Sequence, residues 1–299
     1  MDFHIAGNGV LIMLVASCSL AIFDGLTKYL VAFFSAGEIG FVRFGFGALV
    51  MLPFLFRQKV WFGRRDFSLL ILRGLLGAAV FYCIILAFQV GTISVTMVLF
   101  YTSPVWALLM GALLLREHLT WERVIGVIVA ILGITVLFNP WHEGISIGHL
   151  YGLAAGVMAG GNSVVTRYLR TRYDARLIYE FQCLVGTLAS LPLVIGDVQL
   201  PGMRMGIVLL SAAIFGLLGQ VFMNYGYRFI RAAEGATLMM SEAIFAAVVG
   251  FAIFGEVLTQ QFIIGATLIL GSGVYLGLRA GTPKADVFRP NRVHAIEGN

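Results

Sequence analysis

Charge is what this sequence has least of. Asp, Glu, Lys and Arg make up 12% of its 299 residues, about half the ~25% usual in a soluble domain. A water-soluble monomer cannot cover itself with so few charges. Hydrophobic residues reach 60%, and a mean hydropathy of +0.94 leaves no polar half beside them. Cysteine is nearly as scarce: Cys18, Cys83 and Cys183 lie in apolar runs without C-x-x-C spacing, which argues against a disulfide framework or a zinc site. None of the five histidines, His4, His118, His142, His149 and His294, has an H-E-x-x-H neighbour. A G-x-x-x-x-G-K-[ST] phosphate loop is missing too, so no built-in ATPase, nucleic-acid partner, metal or cofactor is expected. Nor is there a ten-residue alternating pattern that would build a membrane barrel.

What fills the chain instead is a series of long apolar runs, each near the ~20 residues a bilayer-crossing helix needs. Charge and turn clusters divide them into ten expected spans: 9–30, 38–56, 68–89, 94–115, 121–139, 148–168, 177–195, 205–227, 233–254 and 260–279. The fold class is therefore an all-α polytopic membrane protein. Sixteen of the 20 Lys and Arg fall in the loops after the even-numbered spans and in the tail, 280–299 with Arg279. The positive-inside rule then places both termini in the cytoplasm. Val15-Ala16-Ser17-Cys18 has the look of a lipoprotein cleavage box, but no Lys or Arg precedes it; the first span is expected to remain uncleaved.

The chain also matches itself. A gapless shift of 139 residues lays Thr27-Lys28-Tyr29-Leu30 on Thr166-Arg167-Tyr168-Leu169, and Pro53 on Pro192. It also lays Glu117-x-Leu119-Thr120 on Glu256-x-Leu258-Thr259. A constant offset through polar, Gly and Pro positions marks a duplication. Each repeat, 9–139 and 148–279, holds an odd number of spans, so the second is expected to enter the membrane from the opposite side. Inverted repeats characterise secondary transporters with a site near the midplane. Small-residue spacings such as Gly152, Gly156 and Gly160 are read as close helix packing inside one bundle.

These features, with Arg43-Phe44 early in the second span and Thr102-Ser103-Pro104-Val105 in the fourth, resemble the ten-helix, EamA-type branch of the drug/metabolite transporter superfamily, and most of all its aromatic amino-acid exporters. The resemblance runs over 9–279. It implies a bacterial inner-membrane exporter with a central cavity lined by helices of both halves. One departure is Ser241-Glu242-Ala243 where the first repeat has Thr102-Ser103-Pro104.

Ionisable groups inside spans are functional candidates, since each costs about 2.5–3.5 kcal/mol at a helix centre. Asp24 and Lys28 stand one turn apart, and Arg43 has a similar depth on the outer side. Their shifted counterparts Ser163, Arg167 and Gln182, joined by Glu180, lie on the cytoplasmic side. Asp24, Lys28, Arg43, Arg167 and Gln182 are accordingly the candidate gating or coupling residues. Glu242, about nine residues into its span, reaches the midplane and is a candidate both for binding a substrate ammonium and for carrying a proton. Tyr82, Tyr101, Ser103, Trp106, Asn162 and Asn224 are the candidate cavity residues, because apolar walls with a few placed polar tips suit an amphipathic solute.

The expected activity is export of neutral, aromatic amino acids and related metabolites by alternating access, with the bilayer, a small-molecule substrate and protons as partners. A phosphorylated-metabolite or nucleotide-sugar antiporter would want central Lys or Arg; here only Lys28, Arg43 and Arg167 offer themselves, off-centre. An intramembrane enzyme would need a partnered nucleophile or paired acids.

Overall fold

An apolar chain in lipid must satisfy its backbone polar groups within each crossing, and the described residues answer with helices alone. The computed structural model describes residues 2–57, 63–90, 93–117, 119–138, 147–194, 202–254 and 260–279. It contains α1 (Asp2–Leu30), α2 (Ala36–Arg57), α3 (Arg64–Val90), α4 (Ile93–Phe100), α5 (Ser103–Leu115) and α6 (Trp121–Phe138). These are followed by α7 (Ile147–Leu169), α8 (Ala175–Val194), α9 (Met203–Gly226), α10 (Ala232–Met239), α11 (Ser241–Phe254) and α12 (Gln260–Arg279). The tail 280–299 and the Glu256-x-Leu258-Thr259 motif lie outside the described residues. Among the described residues nine segments are long and apolar enough to cross a membrane. The expected span at 148–168 is α7, equally long at 23 residues but diluted by glycines, His149, Asn162 and Arg167.

Two expected spans differ from the sequence reading: 94–115 and 233–254 are each broken near the middle. In the first half Pro104 follows the break; it has no N–H and its ring crowds the carbonyl four residues back. At Met240 no proline stands nearby, and the break has another support. Thr102 Oγ1 donates to the Leu99 carbonyl at 2.7 Å, and Ser241 Oγ donates to the Leu238 carbonyl at 2.7 Å. The 139-residue shift lays these two bonds on one another, so each half closes its fourth span's turn with a hydroxyl reaching three residues back.

The halves interlock rather than sit side by side. Helix α1 packs on α9 and α3 on α7, α2 lies on α8, and α6 on α12, while α5 against α7 matches α11 against α1. Every one of these contacts joins the two halves. Side chains on the outside are large and apolar, as at Leu49, Leu113, Leu150 and Ile263, the arrangement a lipid-facing belt requires. Trp121 is 80% exposed at the start of α6, in keeping with an interfacial position. Cys18, Cys83 and Cys183 are free thiols.

Close approach depends on missing side chains. Gly156 faces the Leu99 and Phe100 carbonyls and Gly160 the Trp106 Cβ, so these glycines pack inside one bundle as the spacing predicts. Helices α6 and α12 cross at Gly133 and Gly265, where an added Cβ would stand 2.9 and 2.7 Å from the other glycine's carbonyl oxygen. Gly271 has nothing within 4 Å. Replacing Gly265 by Val should cost about 1–3 kcal/mol through forced backbone shifts and lower the thermal midpoint in detergent, whereas Gly271→Val should leave it unchanged. Equal midpoints for the two variants would contradict this crossing.

Candidate functional site

Three groups of interior charges are each assembled from both halves. The first lies between α1, α2 and α11. The Asp24 and Glu242 carboxyls hydrogen-bond one another, which needs one proton between them because an ionised carboxylate only accepts. Glu242 opens α11 directly after the Met240 break. Beside the pair, the Arg43 guanidinium carbon stands 4.0 Å from the Phe23 ring centre, 4.9 Å from Phe81 and 5.5 Å from Phe44. Arg43 Nε has no hydrogen-bond partner among the described residues. The guanidinium is held by ring faces and by the fields of Asp24 and Glu242. Tyr101, at the α4–α5 break, stacks on Phe138 with ring centres 6.4 Å apart and feels the same two carboxyls.

The second group surrounds Arg73 on α3, whose side chain is fully buried. Its Nε donates to Thr166 Oγ1 at 2.6 Å, and Nη2 donates to Gln220 Oε1 at 3.2 Å and to Asn224 Oδ1 at 3.1 Å. Gln182 lies across Gly77 from it. The third group sits at the arginine-rich face. Arg123 pairs with Glu234 at 2.9 Å, and Arg167 Nη1 donates to the carbonyls of Tyr227 at 2.6 Å and Arg228 at 2.9 Å. Arg116, left-handed at φ 54°, ends α5 and turns the chain so that Glu117 accepts the Ala232 N–H at the start of α10. That position favours negative charge. Burial, with Glu234 adding repulsion, still pushes the Glu117 carboxyl up to about 7 against the pull of Arg167 and Arg123.

The residues singled out from the sequence are thus regrouped. Asp24 and Arg43 belong with Glu242 rather than with Lys28, which is exposed at the last turn of α1. Arg167 joins Glu117 and Glu234, while Gln182 and Asn224 go to Arg73. Tyr82 hydrogen-bonds Ser190 at 2.6 Å across the α3–α8 seam, and the Trp106 indole donates to Thr102 Oγ1 at 3.2 Å. Ser163 accepts the Tyr227 hydroxyl at 2.8 Å. Ser103 is buried at the head of α5, and Asn162 Oδ1 and both Glu180 carboxyl oxygens are buried without partners among the described residues. Sequence reasoning passed over Arg73 as a residue near a span end and did not single out Glu234. The partners of both come from the other half, which spacing along one helix cannot reveal.

The profile of the EamA-like transporter family matches residues 7–139 and again 146–278, two halves offset by the same 139 residues. The pseudopaline exporter of Pseudomonas aeruginosa is 28% identical over 272 residues, 90% of this chain and 96% of its own. An S-adenosylmethionine uptake transporter of Rickettsia prowazekii is 21% identical over 90% of this chain and 92% of its own. Human solute carrier family 35 member G1 is 26% identical over 82% and 72%. One solved crystal structure superposes with a TM-score of 0.75 over 91% of this chain and 99% of its own at 18% identity, a likeness of fold alone. The relatives' names are those of transporters rather than enzymes.

The raised Glu117 carboxyl couples stability to pH. A carboxyl protonated up to about 7 when folded, but only to about 4.3 when unfolded, binds more protons in the folded state between those values. Stability from this group is full below about 4.3 and is lost as pH rises through 7. Thermal midpoints in detergent should therefore fall between pH 5 and 7.5 more steeply for the unaltered protein than for Glu117→Gln. Parallel profiles would refute the assignment.

Proposed function

The chain belongs to the EamA-like transporter family, and from that premise we propose that it is a secondary transporter exporting neutral, aromatic amino acids and related amphipathic metabolites across a bacterial inner membrane. The observation that carries this reading is the Asp24–Glu242 contact at a broken helix, beside Arg43 and a wall of aromatic rings. Discontinuous spans near the midplane are where transporters place substrate and coupling sites, because freed backbone and helix ends line a cavity there. A carboxyl pair sharing a proton suits an ammonium that arrives as the proton leaves, and Phe23, Phe81 and Tyr101 supply apolar surface for a side chain.

In this reading residues 9–139 and 148–279 act as two inverted halves that rock about the site, with both termini and the 280–299 tail in the cytoplasm, an orientation supported by the arginine-rich loops. The charge cluster of Glu117, Arg123, Arg167 and Glu234 closes the cytoplasmic mouth. Gln182 and Arg73 stand between that mouth and the carboxyl pair. Relatives similar over 90% of this chain are named for export and for uptake; export is the direction proposed for this chain.

Proteoliposomes loaded with labelled phenylalanine test the proposal. The unaltered protein should carry phenylalanine faster than empty liposomes, and the rate should respond to an imposed pH gradient. Glu242→Gln should lower the rate about tenfold or more, the loss expected for a charge-assisted hydrogen bond, and abolish the response to pH. Absence of phenylalanine flux would remove the substrate assignment, and full flux by Glu242→Gln would remove the role of the carboxyl pair.

A further inference from the structure

The 139-residue shift turns the Arg43 site into a template for the Arg73 site. It lays Asp24 on Ser163, Glu242 on Ser103 and Arg43 on Gln182, and it lays Phe23, Phe44 and Phe81 on Asn162, Cys183 and Gln220. It also lays Gly77 on Gly216. Both glycines face the guanidinium of their own site: a Cβ on Gly216 would stand 3.4 Å from Arg43 Nε, and one on Gly77 would stand 2.8 Å from Arg73 Nη1. Each half of the bundle therefore encloses one arginine in an equivalent place, one among rings and carboxyls, the other among amides and hydroxyls.

The difference is in the counter-charge. Two carboxyls attend Arg43, whereas the shift lays serines on both of them and no carboxyl among the described residues bonds Arg73. Thr166, Gln220 and Asn224 orient the Arg73 guanidinium but neutralise nothing. The described groups whose fields act on it are the Tyr227 and Tyr179 phenols and the Cys183 thiol. A guanidinium removed from water without an anion costs several kcal/mol, and ionisable groups inside a membrane are otherwise found paired. Its spare edge is also defined: Nη1 has no partner among the described residues, and neither has Gln182 Oε1. The Gln182 amide nitrogen would lie 2.5 Å from a Gly77 Cβ, so amide and guanidinium converge over the bare glycine. Turning the amide over adds one more neutral acceptor and still no charge.

We infer that Arg73 and Gln182, whose guanidinium and amide meet over Gly77, form a binding site for the carboxylate group of a ligand, separate from the Asp24–Glu242 pair. A carboxylate there takes the free Nη1 edge and the Gln182 amide, and supplies the missing negative charge. Tyr179 and Cys183 feel both Arg43 and Arg73, so the site adjoins the first one across a single turn of α8. The inference rests on the proposed function only for the amphipathic character of the ligand.

The test uses the full chain purified in detergent, with phenylacetate as probe, its neutral amide phenylacetamide as control, and sodium chloride at matched ionic strength. A ligand that binds the folded state raises the unfolding midpoint in a saturable way. Phenylacetate should raise it beyond phenylacetamide and chloride, and Arg73→Gln should erase that difference. Gly77→Ala, which retains Arg73 but sets a Cβ 2.8 Å from its Nη1 and 2.5 Å from the Gln182 amide nitrogen and so pushes the two apart, carries the same test should Arg73→Gln fail to fold; its affinity for phenylacetate should fall at least about tenfold. The site is refuted if the unaltered protein responds equally to phenylacetate and phenylacetamide, if chloride reproduces the shift, or if Gly77→Ala binds phenylacetate normally. A phenylacetate response without phenylalanine flux in liposomes keeps this site and removes the amino-acid substrate; flux without that response does the reverse.

Discussion

A charge buried in an apolar medium has to find its partner in protein, and for four of the buried charges in this chain the partner comes from the other half. Arg73 is held by Thr166, Gln220 and Asn224, Arg123 by Glu234, and Asp24 by Glu242. Asp66 accepts from Arg172 and from Tyr173, at 3.1 and 2.8 Å. Removing one member of a buried pair costs about 3–5 kcal/mol because the other is left unpaired. Lipid provides no hydrophobic force to press helices together, so these polar joints and the close glycine crossings hold two otherwise greasy halves in register. The same joints are what any rocking motion has to exchange, which ties stability to transport.

Duplication supplies the scaffold, and function is proposed where the copies diverge. Helix pairings and the hydroxyl-closed breaks at Thr102 and Ser241 repeat faithfully. The interior charges do not: Asp24 faces Ser163 across the duplication, Glu242 faces Ser103, and Arg73 faces Ala212. A symmetric shell encloses two equivalent sites, while the divergent side chains give one of them carboxyls and rings and the other amides and an unneutralised guanidinium. A zwitterion would meet both kinds of group along a single passage.

Hydropathy and the constant offset were enough to read the crossings, because both are properties of the chain taken one helix at a time. The two mid-span breaks escaped that reading. Pro104 was visible, yet its counterpart in the second half is Ala243, and the hydroxyl bonds of Thr102 and Ser241 become meaningful only once the turn is seen. The same limit governs the site. Depth along a helix placed Asp24, Lys28 and Arg43 together and Glu242 apart, whereas neighbours across helices join Asp24, Arg43 and Glu242 and leave Lys28 exposed. Arg73, just inside the third span by sequence, gains its meaning only from Thr166, Gln220 and Asn224, which close around it from the other half.

The central claim is that the Asp24–Glu242 pair holds a proton which a substrate ammonium displaces. Purified protein in weakly buffered detergent solution, with a pH indicator dye, reads this directly when phenylalanine is added. The account predicts release of about one proton per bound substrate, since the pair has one to lose, and none from Glu242→Gln. Binding of phenylalanine without proton release, or equal release by Glu242→Gln, would contradict it.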